Sequence, residues 1–293
     1  MVLQTKHKIF LASLAFRVVR LARKIVGKDV HGQFQRSSFT WELDLREVVD
    51  FMIYLSGGFE SYLSQFIRQN VKDGDVVMDI GANIGAHTLT MGQSVSPSGK
   101  AYAIEATEYA FNKLQRNIEL NPTIADQIHP FHCVLRAPEG EEGSSIAGSI
   151  HSSWPFDSTD ERHPSHQGVL KTLGNAQHST LDALVEANKI DRLDLVKIDV
   201  DGHEWDVLSG GRNTFSTLRP TILMELAPDY NETEHARAFE NIHQLLIDIG
   251  YTFYDFKGQQ LPIEAAKLAA TIPAGASRNV VVVPDTTRKI AYL

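Results

Sequence analysis

The chain has 293 residues, of which 43% are hydrophobic and 22% are charged, with 20 glycines and 11 prolines. This composition is ordinary for a soluble globular protein and excludes collagen-like, disordered and multi-span membrane classes. The single cysteine, Cys133, excludes an internal disulfide framework and a multi-thiolate metal site, and it favours a reducing compartment. The formal net charge of −8 argues against nucleic acid or anionic lipid as a partner of the chain as a whole.

The first 28 residues carry the opposite charge. They contain seven Lys or Arg and no Asp or Glu, which leaves −15 for the remainder. Apolar residues recur at helical spacing from Ile9 to Val26, which predicts a basic amphipathic helix. This helix either packs on the domain or on a second subunit, or lies on an anionic membrane surface. We expect a cytoplasmic protein. If the helix lies on a membrane, we expect peripheral contact with the inner face of that membrane.

Strand and helix patterns alternate from about Asp75 onward, which predicts an α/β protein with a mostly parallel sheet. The predicted strands are Val76–Ile80, Ala101–Glu105, Ile128–Val134, Leu193–Asp199, Thr221–Leu226, Tyr251–Phe256 and Val280–Val283. The predicted helices lie near His87–Val95, Glu108–Leu120, His203–Phe215 and His235–Ile249. We expect one doubly wound domain over residues 72–293, with helices on both faces of a seven-stranded sheet. A mostly helical extension over residues 1–71, carrying the basic helix and a lid, precedes it.

One long segment, residues 136–178, interrupts the alternation. It is rich in Gly, Ser, His and Pro, and it follows the third predicted strand. A segment of this length without clear elements indicates a functional loop or cap near the carboxyl edge of the sheet. Four histidines lie in it and could form a zinc site, although their irregular spacing and the lack of thiolates favour surface or substrate contacts. They are His151, His163, His166 and His178.

A Gly-rich turn follows the first predicted strand of the sheet. Asp79 ends the strand, and Gly81 and Gly85 allow a close approach of ligand and helix. The spacing matches neither the G-x-G-x-x-G fingerprint nor a P-loop, so a pyrophosphate ligand is not indicated. Asp79 would attract an ammonium group, while Glu105, at the end of the next strand, would accept hydrogen bonds from ribose hydroxyls. A ligand with an amino-acid end, a ribose and no phosphate is S-adenosylmethionine.

A second polar cluster follows the predicted strand that ends at Asp199. His203 is the candidate general base because its unperturbed pKa is about 6.5, and Asp199 would orient it or hold the substrate hydroxyl. Either Asp201 or Glu204 is expected to cap the next helix. Together with Glu225, these residues could instead ligate a divalent cation, but the spacing matches no known ion-binding loop. The sequence therefore predicts no metal.

In the order of its motifs, the chain resembles the FkbM family of S-adenosylmethionine-dependent methyltransferases. The matching segments are 77–85, 180–184, 195–204, 207–211 and 219–225, preceded by 41–45 and 57–60. The family often has Glu where this chain has Asp201. The resemblance implies a class I methyltransferase fold, Rossmann-like, with an antiparallel seventh strand at Val280–Val283. It also implies methyl transfer to a hydroxyl oxygen of a small-molecule or glycan acceptor, such as a sugar or a secondary metabolite.

The resemblance also implies roles for individual residues. The turn residues would surround the methionine end of the cofactor, Glu105 would hold the ribose, and Glu60 would approach from the N-terminal lid. The turn residues are Asp79, Gly81, Asn83 and Gly85. The residues expected to face the acceptor are Asp199, His203 and Glu204.

Two other functions remain alternatives. A nicotinamide-dependent oxidoreductase would share the general architecture, but the missing G-x-G-x-x-G argues against it. A non-catalytic, membrane-associated binding module could keep the fold without the reaction. The polar cluster around Asp199 argues against this second alternative, because an inactive site has no need of it.

Overall fold

Helices and strands alternate along most of the chain. The computed structural model describes residues 5–141, 146, 148–157, 160, 162–163, 167–229, 237–285 and 290–293. The strands in these residues are β1 (His31–Arg36), β2 (Phe39–Asp44), β3 (Val76–Ile80), β4 (Lys100–Glu105), β5 (Ile128–Leu135), β6 (Ser149–Ser153), β7 (Val169–Thr172), β8 (Gln177–Ser179), β9 (Leu195–Ile198), β10 (Thr221–Leu226), β11 (Tyr251–Tyr254) and β12 (Arg278–Pro284). The helices are α1 (Thr5–Ile25), α2 (Val48–Ser56), α3 (Ser61–Asn70), α4 (Thr88–Val95), α5 (Glu108–Glu119), α6 (Leu181–Ala187), α7 (Glu204–Ser209), α8 (Arg212–Leu218), α9 (Ala238–Asp248) and α10 (Ala265–Ala269).

One sheet has the strand order β11, β12, β10, β9, β3, β4, β5, β8. Its strands from β10 to β8 run parallel, whereas β12 is antiparallel to both β10 and β11. All seven predicted strands are present, and the antiparallel strand predicted at Val280–Val283 is confirmed within β12. The largely buried strands β3 and β9, which are apolar except for Asp79 and Lys197, lie at the centre, as is usual for strands covered on both faces. The fold is therefore the class I methyltransferase fold that the resemblance implied.

The prediction of seven strands was one strand short. Strand β8 lies inside the segment predicted as a loop and pairs in parallel with β5. The same segment contains β6 and β7, which pair antiparallel as a separate two-stranded sheet. These strands have three to five residues, so their patterns are too short to predict from periodicity.

The N-terminal extension is not only helical, because β1 and β2 form an antiparallel hairpin between α1 and α2. The helix predicted at His203–Phe215 is divided into α7 and α8 at Gly210 and Gly211. A Cβ atom on Gly210 would lie 2.3 Å from the carbonyl oxygen of Arg136, so the division brings the backbone close to the end of β5. The helix predicted near His235–Ile249 is α9, and its predicted first residue, His235, lies outside the described residues.

Helices on the two faces of the sheet enclose two hydrophobic clusters. One cluster joins the sheet to α6, α7, α8 and α9. The other joins it to α4, α5 and the N-terminal extension, with Trp41, Phe51 and Phe66 among its buried side chains. The extension therefore covers one face of the sheet and contributes to its core. No helix in the described part of the chain has the length and hydrophobicity needed to cross a bilayer.

Candidate active site

A cavity of about 760 Å³ lies at the carboxyl ends of β3, β4, β5, β9 and β10. The N-terminal extension and the segment around β6 complete its wall. Its acidic lining residues are Glu60, Glu105, Asp199, Asp201 and Glu225. Among the described residues that line it, Lys197 is the only Lys or Arg. The cavity therefore suits a ligand that carries positive charge and no phosphate.

Glu105 is fixed in the cavity wall by three hydrogen bonds. Its Oε1 accepts from the backbone nitrogen and the hydroxyl of Thr107 at 2.8 and 2.6 Å, and its Oε2 accepts from the backbone nitrogen of Asn83 at 2.9 Å. Burial raises the pKa of Glu105, and these hydrogen bonds oppose that shift. Asn83 itself has a positive φ of 49°, and its side chain accepts a hydrogen bond from the backbone nitrogen of Ile84. The turn after β3 and the end of β4 thus form one rigid unit around this carboxylate.

The two glycines of the turn allow close packing of the protein against itself. Gly81 has a φ of +80°, and a Cβ atom there would lie 1.8 Å from the carbonyl oxygen of Asp199. Gly85 has a φ of +95°, and its Cβ atom would lie 3.0 Å from Leu114 of α5. Gly81 therefore lets the ends of β3 and β9 meet, and a Cβ atom at either position would require the neighbours to move.

Asp79 is buried beneath the cavity and is not one of its lining residues. Its Oδ2 accepts a hydrogen bond from the Thr88 hydroxyl at 2.6 Å, and its Oδ1 lies 3.5 Å from Nζ of Lys197. Lys197 Nζ also lies 3.1 Å from Oδ2 of Asp199. Burial alone would lower the pKa of Lys197, but Asp199 and Asp79 raise it above its ordinary value. The sequence analysis missed Lys197, although a lysine inside an otherwise apolar strand is an available signal.

Three carboxylates form a cluster beside this lysine. Oxygen atoms of Asp199, Asp201 and Glu225 all lie within 4.8 Å of one another. Burial raises the pKa of Glu225 to about 8, and the charge of Asp199 adds to the shift. Burial and the charge of Asp199 also raise the pKa of Asp201. These three side chains have the oxygen ligands that a divalent cation prefers, and together with Lys197 they could equally hold a polar acceptor.

His203 lines the cavity, and its Nδ1 lies 3.8 Å from Oδ2 of the buried Asp206. Asp206 is thus the carboxylate beside the imidazole, whereas Asp199 pairs with Lys197. Glu204 is buried and does not line the cavity. Its Oε1 accepts from the backbone nitrogens of Val200 and Gly202 at 3.3 and 3.4 Å. Glu204 therefore stabilises the turn before α7. Both bonds are made to residues that precede the helix, so they do not confirm the capping role predicted for Asp201 or Glu204.

Glu60 lies in the wall that the N-terminal extension contributes. It occupies the N-cap position just before α3 with a positive φ of 42°, and its Oε1 accepts hydrogen bonds from Asn279 Nδ2 at 3.2 Å and from the Tyr62 hydroxyl at 3.3 Å. Asn279 and Tyr62 also line the cavity. The sequence analysis missed both residues, because β12 comes near α3 only in the folded chain.

The histidines of the long segment do not gather into a metal site in the described residues. His151 lines the cavity and lies against His163, with ring centroids 5.0 Å apart. His178 is exposed on β8, and His166 lies outside the described residues. Of the three described histidines, His151 is therefore the one that lines the cavity and could touch a ligand there.

Comparison with known proteins identifies the family. Residues 79–253, more than half of the chain, match the model of the methyltransferase FkbM domain. The chain belongs to the FkbM methyltransferase family. S-adenosylmethionine is the cofactor that this family implies, and the acidic cavity with Glu105 in its wall fits that cofactor.

Two curated relatives share part of the chain. Methyltransferase 1 of Beauveria bassiana is 29% identical over 173 residues, which cover 53% of this chain and 65% of the relative. The hexuronic acid methyltransferase AglP of Haloferax volcanii is 25% identical over 167 residues, which cover 56% of this chain and 61% of the relative. The chain thus spans somewhat less than two thirds of the length of each.

Solved structures with similar folds include one FkbM methyltransferase and one protein solved with AdoMet. The FkbM methyltransferase of Methylobacillus flagellatus aligns with a TM-score of 0.41 at 16% identity, over 72% of this chain and 44% of that one. The M. jannaschii TYW2 protein, solved in complex with AdoMet, aligns with a TM-score of 0.42 at 15% identity, over 87% of this chain and 85% of that one.

Proposed function

We propose that this protein is an S-adenosylmethionine-dependent O-methyltransferase that acts on a hydroxyl of a sugar, a glycan or a secondary metabolite. The observation that carries the proposal is a single cavity that contains both Glu105, fixed by three hydrogen bonds, and His203. A hydroxyl acceptor is the class that the FkbM resemblance implies. The relative AglP is named as a hexuronic acid methyltransferase, which supports a sugar as one member of this class.

In this proposal, the residues of the cavity bind and orient the two reactants. Glu105 accepts hydrogen bonds from the ribose hydroxyls, because its carboxylate is already positioned by Thr107 and Asn83. Gly81, Asn83 and Gly85 shape the backbone around the methionine end. Asp79 lies beneath this region and pairs with Lys197. It therefore affects the cofactor only through Lys197 and does not touch it. Glu60 provides a further carboxylate from the N-terminal wall.

His203 acts on the acceptor in the same proposal. The bound cofactor supplies a methyl group that is already activated on its sulfonium, so the protein mainly aligns the acceptor oxygen. His203 removes the hydroxyl proton as the oxygen attacks, and the imidazolium that forms is stabilised by Asp206. Asp199 accepts a hydrogen bond from the acceptor while Lys197 balances its charge. Residues of the segment around β6, including Trp154 and Ile150, cover the acceptor and exclude water.

The test separates cofactor binding from chemistry. We expect the purified chain to bind S-adenosylmethionine by calorimetry. With a panel of sugar and polyketide acceptors, we expect it to release S-adenosylhomocysteine. His203→Ala should leave the cofactor affinity unchanged and lower turnover by about 10²–10⁴, which is the usual contribution of a general base. His178→Ala, on the exposed β8, is the matched control and should behave as the parent protein.

Two results would contradict the proposal. Absence of S-adenosylmethionine binding would exclude methyl transfer. Normal turnover by His203→Ala on the true acceptor would exclude His203 as the base and leave the remaining assignments intact.

A further inference from the structure

Helix α1 presents an unpartnered apolar face to solvent. Among the described side chains of this helix, from residue 12 onward, the large apolar residues that are exposed are Leu14, Val18, Leu21 and Ile25, with exposed fractions of 55%, 65%, 61% and 76%. We call them the apolar stripe. Their spacing of four, three and four residues places them on one side of the helix over three turns. Isolated exposed leucines need no explanation, but a continuous stripe indicates a binding surface.

The opposite side of α1 is anchored on the protein. Phe16 is buried, and its ring lies 5.6 Å from that of Phe51 and 4.8 Å from that of Phe156, measured between centroids. Arg23 lies over the ring of Phe34 at 4.9 Å. The helix therefore stays folded against the domain while the apolar stripe faces outward. The packing of one side on the domain agrees with the first alternative from the sequence, and contact of the other side with a membrane stays a prediction.

Basic residues flank the apolar stripe. Arg17 and Lys24 are seven residues apart on one edge of the helix, and both are exposed. Lys28 follows the helix and is also exposed. Residues 1–28 contain no Asp or Glu that could neutralise these cations from within the segment. The remainder of the chain has a net charge of −15. A negatively charged partner would therefore be attracted to residues 1–28 and repelled by the rest of the chain.

We propose that α1 docks on an anionic lipid surface, with the apolar stripe inserted at the level of the headgroups and its basic edge against lipid phosphates. An exposed apolar stripe beside Lys and Arg is the pattern of helices that lie in a membrane interface. A second copy of α1 fits less well, because two such helices would bring their basic edges together without acidic residues between them. Ala12 of the same helix lines the cavity, so docking would hold the cavity within about a helix diameter, roughly 10 Å, of the bilayer.

The experiment is co-sedimentation of the full chain with lipid vesicles. We expect binding to vesicles that contain phosphatidylglycerol at low salt, weaker binding at high salt, and little binding to vesicles of phosphatidylcholine alone. The double variant Leu21→Gln, Ile25→Gln changes only exposed side chains and should lower the partitioning by about ten-fold or more.

A matched pair of charge variants tests the electrostatic contribution. Arg17→Glu with Lys24→Glu should lower binding by about ten-fold or more. Lys72→Glu with Lys257→Glu makes the same change in net charge at exposed positions outside α1 and should bind as the parent does.

Three results would overturn the proposal. The first is the absence of binding to anionic vesicles at low salt. The second is an equal loss of binding in the two charge variants, since that would reflect net charge alone. The third is a dimer of the parent chain that Leu21→Gln, Ile25→Gln converts to a monomer, because the apolar stripe would then be occupied by a second copy.

Discussion

Carboxylates outnumber cations at the carboxyl ends of the central strands. Lys197 pairs with Asp79 and Asp199, so Asp201 and Glu225 share no further Lys or Arg among the described lining residues. A buried carboxylate without a cation holds its proton more tightly, because burial penalises the charged form. This is the cause of the raised pKa of Glu225 and Asp201. Stability should therefore depend on pH in a direction opposite to that of ordinary acidic residues.

The pH dependence of unfolding tests this charge balance. Glu225 titrates near 4.5 when unfolded and near 8 when folded, so between these values the folded chain keeps a proton that the unfolded chain has lost. The free energy of unfolding should fall as the pH rises from about 4.5 to about 8, by at most about 1.4 kcal/mol per pH unit for one proton. Urea unfolding at several pH values measures this slope.

Glu225→Gln should flatten the slope, because the amide does not titrate. Glu186→Gln is the control on the exposed surface of α6 and should keep the slope of the parent chain. An unchanged slope in Glu225→Gln would mean that Glu225 is ionised in the folded protein.

The residues of the site could be predicted only in part. Glu105 is the last residue of β4 and His203 lies in the turn after β9, and both line the cavity. Both could be foreseen because the ends of strands can be predicted from a sequence. Asp79 obeys the same rule and yet lies below the cavity. Its neighbour across the sheet is Lys197, with which it is in register. Sequence patterns do not report which lysine will lie opposite a given aspartate, so this ion pair could not be foreseen.

Strand β2 completes its hydrogen bonding with side chains of α5 and of the turn that follows this helix. The buried Asn117 accepts a hydrogen bond from the backbone nitrogen of Glu42 at 2.7 Å and donates one to the carbonyl of Ile84 at 2.8 Å. Asn121 pairs with both backbone groups of Thr40, at 3.0 and 2.8 Å. These side-chain amides bond to backbone groups of β2 that a third strand would otherwise pair with. Asn117 also connects the hairpin to the turn after β3 through its bond to Ile84.

Removing the amide of Asn117 should destabilise the protein measurably. Asn117→Ala leaves the backbone groups of Glu42 and Ile84 without their partner, which costs about 1–3 kcal/mol for each buried group. Asn112→Ala, on the exposed side of the same helix, should change the free energy of unfolding by no more than about 0.5 kcal/mol. Chemical denaturation compares the two variants, and equal stability would show that water replaces the amide without cost.

The sequence did contain a signal for this hairpin. Phe39, Trp41 and Leu43 alternate with polar residues, and their burial alternates in the same way. This pattern is only six residues long, and the prediction of a mostly helical extension did not include it. For α7 and α8, by contrast, the helical pattern continues across Gly210, and the division depends on the close approach of Arg136 in the folded chain.

At the scale of the whole molecule, the N-terminal extension and the sheet share one hydrophobic cluster. Phe51 of α2 and Val77 of β3 are buried members of it. The boundary predicted at residue 71 therefore separates two parts of the sequence that share a core. We expect the two parts to unfold together.

Cooperative unfolding is tested by paired variants in α2. Phe51→Ala should lower the free energy of unfolding by about 3–5 kcal/mol, the usual cost of truncating a buried Phe. It should shift one common transition seen by tryptophan fluorescence and by circular dichroism. Leu55→Ala, at a position with half of the side chain exposed, should shift it far less. A separate early transition in Phe51→Ala would show that the extension unfolds by itself.

The segment between β5 and β8 leaves the sheet and returns to it at adjacent points. The backbone nitrogen of Arg136, just after β5, donates to the carbonyl of Ser179 at 2.9 Å. Between these points the chain supplies Ile150, His151 and Trp154 to the cavity. An insertion with such closely spaced ends can be exchanged for one of another length without altering the scaffold. Changes of sequence or length within this segment should therefore reshape the wall of the cavity while the eight-stranded sheet keeps its strand order.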